Sequence, residues 1–536
     1  MRRWNGWGDE SVTYPLGAGA SRFLESKIGA GTRPRDATLS DVLKQVPASR
    51  LPAHPLVSTA AADRARHARG QSFPDWVALR SGRIGAFPDG VAFPEREADV
   101  RELLRYAASV GARVIPYGGG TSVVGHINPL TGGPPTLTIN MSRLNRLIRF
   151  DPESGLATFG AGVAGPDLEA QLRAHGWTLG HFPQSFELST LGGWIASRSS
   201  GQQSLFYGRI ERLFAGGRVE TPAGTLDLIP YPASAAGPDV REMVLGSEGR
   251  MGIITEATVR AVPLPEREAF RGVFFPDFER GMDAVRQMVQ SGIPASMLRL
   301  STAIETETTL ALAGHERLIG LLERALAVRR IGADKCMLIL GVTGRKAIAG
   351  AALKEAQIIA RLQGGVRVGA IFGRQWLKSR FRTPYLRNTL WEMGYGVDTL
   401  ETAVPWAAVP ATIRDIESAL RDTLAEYGER VYVFTHLSHV YPHGSSVYTT
   451  YAFRLAADPE ETLRRWRLMK DAASRAVVAN QGTISHQHGV GTDHAPYLPA
   501  EKGPLGMAAI ADVCRRFDPE GIMNPGKLFT AERTDA

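Results

Sequence analysis

Between Glu95 and Val110, apolar residues recur at Val100, Leu103, Leu104 and Ala107, the spacing of one helix face, and Gly111 follows where a C-cap is expected. The next residues, Arg113-Val-Ile-Pro-Tyr117, read as a short strand that runs into the cluster Gly118-Gly-Gly-Thr-Ser-Val-Val-Gly125. Further strands are predicted from Thr136 to Met141 and from Leu156 to Gly160. A helix is predicted with Pro166 in its first turn and Gly176 just past its end. Pro263-Leu-Pro265 reads as a hinge. Beyond it, the alternation in Gly272-Val-Phe-Phe275 and the helical pattern from Phe278 to Val289 begin a strand-then-helix rhythm that suits a separate α+β unit. Asp518 to Lys527 is a turn-rich closing loop. The first ninety or so residues are rich in Gly, Pro, Arg and Ala with little periodicity, so an extended arm over a neighbouring domain or subunit is expected there, or else a disordered tail. The resulting division is 1–90, 91–265, 266–480 and 481–536, with no internal repeat.

A chain of 536 residues exceeds what one hydrophobic core usually supports, so at least two domains are expected. No apolar run is long enough to span a membrane and the first residues are polar, so a cytoplasmic location is expected. Cys336 and Cys514 form no Cys-x-x-Cys pair and read as buried packing residues. The net charge of +8 favours anionic partners: phosphorylated or carboxylated small molecules, a membrane surface, or nucleic acid. The arginines are scattered, without an aromatic-interleaved basic stripe, which sets nucleic acid aside and leaves peripheral membrane contact open. A wrapping arm would suit a homodimer.

Three consecutive glycines after a strand, followed by Thr121 and Ser122, bring backbone N–H groups and hydroxyls close together, an arrangement that can cradle a pyrophosphate. The loop has neither the Gly-Lys-Ser/Thr ending of a P-loop nor a Gly-x-Gly-x-x-Gly that opens a helix. By itself it is as compatible with a sharp turn as with a cofactor site. Downstream stand Phe182-Pro-Gln-Ser-Phe-Glu-Leu-Ser-Thr-Leu-Gly-Gly193, Ser197 to Gly201, and Gly246-Ser-Glu-Gly-Arg-Met-Gly-Ile-Ile-Thr255. With Trp4-Asn-Gly-Trp-Gly8, Pro294-Ala-Ser-Met-Leu-Arg299, Glu401-Thr-Ala-Val-Pro-Trp406 and His488-Gly-Val-Gly491 in the same order, the chain resembles the FAD-binding family of vanillyl-alcohol oxidase and the D-lactate dehydrogenases, and most closely its alkyl-dihydroxyacetone-phosphate synthase branch.

The resemblance implies an α+β fold with a two-subdomain PCMH-type FAD-binding domain over 91–265, a cap with an antiparallel sheet over 266–480, and a C-terminal segment closing over the flavin. It implies that Gly118, Gly119, Gly120, Thr121 and Ser122 hold the FAD pyrophosphate beside Pro116, and that Ser189, Thr190, Gly192, Gly193 and Ile254 lie along the flavin and ribityl chain. Pro183, Ser197, Glu248 and Gly252 complete the expected cofactor set. Relatives with covalent flavin carry a histidine in the first loop; Thr121 stands there, so non-covalent FAD is expected, with His126 the only histidine nearby.

The synthase branch exchanges an acyl for an alkyl group on acyl-dihydroxyacetone phosphate through a flavin N5 adduct, in ether-lipid synthesis. That chemistry needs cations for a phosphate and a departing carboxylate, and a group to move protons. The resemblance places Tyr448 at the proton-transfer tyrosine, Arg387 and Arg299 at substrate-region arginines, and His486 and His488 near the flavin edge. His181 matches a synthase histidine, equally suited to a structural role. Gln487 departs from the pattern, an amide where a middle histidine is expected, and Asn524-Pro-Gly-Lys527 looks more like the lactate and glycolate dehydrogenase branch. In that branch a histidine pair spaced like His436 and His443 binds a metal with a glutamate, whose place Gln487 takes; the favoured expectation is no metal, with His436 lining a polar substrate cleft. An FAD-dependent D-2-hydroxyacid dehydrogenase is therefore the rival enzyme, and a catalytically silent flavin protein at a membrane surface the reading from another class.

Overall fold

The helix Glu97–Ser109 buries Val100, Leu103, Leu104 and Ala107, the stripe read from the sequence, and in its first turn the Asp99 carboxylate accepts the backbone N–H groups of Glu95 and Arg96. The computed structural model describes residues 1–313 and 316–530. This helix packs on a four-stranded sheet in which Gly90–Ala92, Thr136–Asn140 and Arg113–Tyr117 run parallel and Val57–Ser58 adds an antiparallel edge. Every residue of Thr136–Asn140 is buried, as the interior of a parallel sheet requires. A five-stranded antiparallel sheet follows, ordered Leu147–Asp151, Leu156–Gly160, Ile253–Arg260, Phe214–Thr221, Gly224–Leu228, with the helices Gly165–Arg173 and Leu191–Ala196 in its core.

At the expected hinge, Val262–Pro263 pairs with Trp177–Thr178, so the start of Pro263-Leu-Pro265 is pinned to the first domain. An eight-stranded antiparallel sheet begins at Arg267–Phe275. In that strand Ala269, Val273 and Phe275 enter one core while Phe270 and Phe274 enter another, the period of two that a sheet covered on both faces imposes. The helices Phe278–Gln290 and Lys346–Leu362 cover the first face, and Ala303–Leu312 and Ile371–Ser379 the second.

The first ninety residues hold more structure than their weak periodicity indicates: helices form at Ala18–Ile28, Leu39–Leu43, Ala61–Arg66 and Phe73–Ser81. The segment lies on its own chain. Asn388 accepts from the Trp7 N–H at 3.1 Å and donates to the Trp7 carbonyl at 3.0 Å, and Phe73 stacks among Trp391, Phe453 and Trp466. Both cysteines are buried. No described helix is long and apolar enough to cross a membrane.

Candidate active site

One cavity of about 1230 Å³ runs from the glycine loop into the cap. Strand Arg113–Tyr117 delivers the loop into its wall, where backbones pass too closely for side chains: a Cβ on Gly119 would lie 1.8 Å from the Leu188 carbonyl oxygen, and Gly120 has φ +64°. Packed against the loop, the Thr190 hydroxyl caps the short helix Leu191–Ala196, and a Cβ on Gly193 would meet nothing closer than Thr190 Oγ1 at 3.3 Å, which leaves this wall open to a ligand. Pro116, Gly118 to Ser122, Pro183, Ser189, Thr190, Gly192, Gly193, Ser197, Glu248, Gly252 and Ile254 all line the cavity. Glu248 does so with its carboxylate already engaged, accepting the Val490 and Gly491 N–H groups and lying 3.0 Å from His126 Nε2. These walls fit an elongated dinucleotide.

At the cap end, the strand Gly444–Arg454 places Tyr448 between its register partners Glu401 and His436. The His436 ring stacks on Tyr448 at 4.8 Å, and His488 meets it edge-on at 5.9 Å. Burial raises the Tyr448 phenol well above its ordinary range, so it holds its proton at neutral pH. Burial likewise lowers His436 and His488 towards the neutral imidazole. Arg387 lies over the Trp76 ring at 4.4 Å and donates from Nη1 to the Gln71 carbonyl at 2.6 Å; its buried Nη2 has no protein partner among the described residues, and the residue lines the cavity. Arg299 differs: Nη2 donates to Glu305 Oε1 at 2.6 Å, and Glu305 Oε2 lies 2.9 Å from His436 Nδ1, so this cation is already balanced.

Three histidines singled out in the sequence stand off the cavity wall. His486 lies behind the cavity wall, where Arg209 Nη1 donates to its Nε2 at 2.7 Å and Tyr441 Oη lies 2.6 Å away. His443 is exposed in the turn before Gly444, so it does not converge with buried His436. Among the described residues the group that does converge is Glu401, His439 and His486, with ligand-capable atoms within 4.8 Å of one another. Because Arg209 donates to Nε2, neutral His486 carries its proton on Nδ1, facing Glu401 at 3.2 Å, and that nitrogen has no lone pair to offer an ion. Burial lowers His486 to about 4, which keeps it neutral. His181 is also off the cavity, its Nε2 2.8 Å from Ser199 Oγ.

Sequence reasoning missed Glu305, His439, Arg209 and Arg380. Glu305 carries only the signal of a helix start, three residues after Thr302, whose hydroxyl accepts its N–H. Arg380 lines the cavity between the Phe182 and Phe381 rings, each 4.6 Å away, and donates to Gln203 at 2.8 Å.

Residues 88–227 match the FAD binding domain, and residues 264–528 match the C-terminal domain of FAD linked oxidases. Alkyldihydroxyacetonephosphate synthase of Trypanosoma brucei brucei is 31% identical over 475 residues, 87% of this chain and 77% of that protein. The chain belongs to this FAD-linked oxidase family. As an FAD-dependent enzyme of that family it takes FAD as cofactor, in the mixed α and β fold described above. A solved structure of alkyldihydroxyacetonephosphate synthase superposes with a TM-score of 0.84 at 26% identity, covering 98% of this chain and 99% of that one. The Bacillus subtilis glycolate oxidase subunit GlcD is 27% identical over 456 residues, 83% of this chain and 90% of that protein. p-Cresol methylhydroxylase, with a TM-score of 0.67 at 14% identity over 94% of this chain and all of that one, shares the fold.

Proposed function

We propose that this flavoenzyme exchanges the acyl group of an acyl-dihydroxyacetone phosphate for a long-chain alcohol, as its synthase relatives are named for. The observation that carries the reading is the set of apolar residues in the cavity lining. Besides Arg299 and Tyr448, the same cavity is lined by Phe23, Leu310, Leu312, Leu318, Ile319, Ile371 and Phe372, of which Leu312, Leu318 and Ile371 are 37%, 58% and 56% exposed. An apolar chain of many carbons gains about 0.8 kcal/mol for each CH₂ it buries there, whereas a small hydroxy acid has nothing to place in it. Apolar lining residues that are also exposed suit a substrate drawn from a membrane surface.

FAD held non-covalently along Gly118 to Ser122 and Thr190 would supply a nucleophilic ring nitrogen for this exchange. Arg387 binds the anionic end of the substrate through the free Nη2, with Arg380 a second cation facing the cavity. Tyr448 holds a proton where the departing carboxylate needs one, and the stacked His436 fixes its ring. Glu305 holds Arg299 and His436 together; Glu401, kept ionised by His486 and His439 against its burial, orders the wall behind them. Gln487 lines the cavity as an uncharged amide, so in this reading proton movement falls to Tyr448 and His488.

The test is an anaerobic titration of the flavin absorbance with palmitoyl-dihydroxyacetone phosphate and, separately, with a panel of D-2-hydroxy acids. Loss of the oxidised-flavin band with the phosphate ester, together with released fatty acid, is expected. Bleaching by a hydroxy acid alone, with the keto acid recovered, would replace this reading with the dehydrogenase.

A further inference from the structure

Asn524 opens the Asn524-Pro-Gly-Lys527 turn, is 2% exposed, and has a backbone φ of +39°, a left-handed conformation that asparagine tolerates better than most residues. The chain around it is held from several sides. The Asn524 N–H donates to the Val114 carbonyl at 2.8 Å, beside the bridge between Val114 and Met523. The Asp518 carboxylate accepts the N–H groups of Ile522 at 3.0 Å and Met523 at 2.8 Å, and buried Lys527 donates to the Asn128 carbonyl at 3.0 Å.

The Asn524 carboxamide spends both of its hydrogens on backbone carbonyls, of His126 at 3.1 Å and of Glu248 at 2.6 Å. Those two acceptors fix which way the amide faces, since an oxygen turned towards them would be repelled. The Oδ1 atom is then buried with no protein partner among the described residues, in a residue that lines the cavity together with Glu248 and the glycine loop. A buried acceptor left unsatisfied is costly, and the fold holds this one in place through a left-handed residue. A ligand that brings a hydrogen to Oδ1 removes that cost. Phosphate oxygens carry no hydrogen and would repel the amide oxygen, which leaves the hydroxyls and the ring N–H groups of a dinucleotide.

We propose that Asn524 is an FAD-binding residue: Oδ1 accepts a hydrogen bond from a hydroxyl or ring N–H of the bound dinucleotide, and the closing loop is thereby a clasp on the cofactor. The assignment depends on FAD as the cofactor and not on which substrate the enzyme takes. It is tested by titrating apoprotein with FAD and following flavin fluorescence, for the wild type, Asn524→Gly and Lys527→Met. Glycine accepts the positive φ while removing the acceptor; Lys527→Met loosens the same loop without touching the cavity wall. At least a tenfold rise in the FAD Kd is expected for Asn524→Gly, with a smaller rise for Lys527→Met at matched apoprotein melting temperature. An FAD Kd within twofold of wild type for Asn524→Gly, or an equal loss for Lys527→Met, would overturn the proposal. If the apoproteins do not fold, a structure of the wild-type holoenzyme decides: a hydroxyl or ring nitrogen of FAD within hydrogen-bond distance of Oδ1 supports the clasp, and its absence contradicts it.

Discussion

Replacing Arg387 by methionine separates anion binding from folding, because the energies on the folding side nearly offset one another. Burial, partly offset by the Asp398 and Asp75 carboxylates, lowers the guanidinium from 12.5 to about 10, so it stays charged at neutral pH; at about 1.4 kcal/mol per pKa unit the net fall corresponds to roughly 3 kcal/mol. The group's folded pKa lies below its unfolded value, so this cost is present at neutral pH and is relieved only as the pH rises past about 10. Against it stand the hydrogen bond to the Gln71 carbonyl, about 1.5–3 kcal/mol for a charged donor, and the contact with Trp76, about 0.5–2 kcal/mol. Arg387→Met removes all three, and a melting temperature within a few degrees of wild type is expected. Anion binding has no such compensation. Losing one partner of a buried charge-assisted pair costs roughly 2–5 kcal/mol, so the Kd for dihydroxyacetone phosphate, read from the flavin absorbance of the holoenzyme, should rise about 100-fold. A Kd within threefold of wild type in a folded variant would refute the assignment of Arg387 as the anion anchor.

Other substitutions probe the remaining parts. Gly119→Ala places a methyl against the Leu188 carbonyl, and the purified protein should come off the column largely without FAD, as its absorbance ratio will report. Tyr448→Phe should retain FAD while exchange of acyl for alkyl falls by about 100-fold or more, the usual scale for a lost proton-transfer group. Thr309→Trp, in the cavity lining beside Leu310, should raise the KM for hexadecanol while sparing a short alcohol. Burial lowers His181 to about 3, so the unfolded chain takes up a proton that the folded one refuses; this contribution is complete above about pH 6.5 and is lost as the pH falls towards 3. His181→Asn should flatten that limb of urea stability against pH relative to wild type, a comparison in which the parallel loss at His486 and the opposing titration of Asp493, raised by burial to about 7, cancel.

What could be read from the sequence was local. The strand Arg113–Tyr117 and the glycines after it are contiguous, so both the loop and the close backbone approach it makes were visible as one motif. The helix stripe at Val100 to Ala107 and the strand before Phe278 were legible for the same reason. Contacts between distant segments were not. Tyr448 gains its neighbours Glu401 and His436 only through the register of three strands, and Arg209 reaches His486 from 277 residues away. The helix Phe73–Ser81 announces itself only by Ser72 and Asp75, which cap each other, and is held by Trp391 and Trp466 from elsewhere in the chain. His436 and His443 looked paired by spacing, yet a turn exposes the second.

The most direct measurement is anaerobic incubation of the holoenzyme with palmitoyl-dihydroxyacetone phosphate and labelled hexadecanol, with no electron acceptor present. Acyl-for-alkyl exchange gives labelled alkyl-dihydroxyacetone phosphate and an equal amount of palmitate over many turnovers, with the flavin oxidised again at the end. Absence of the ether product, with turnover appearing only when a D-2-hydroxy acid and an electron acceptor are supplied, would contradict it.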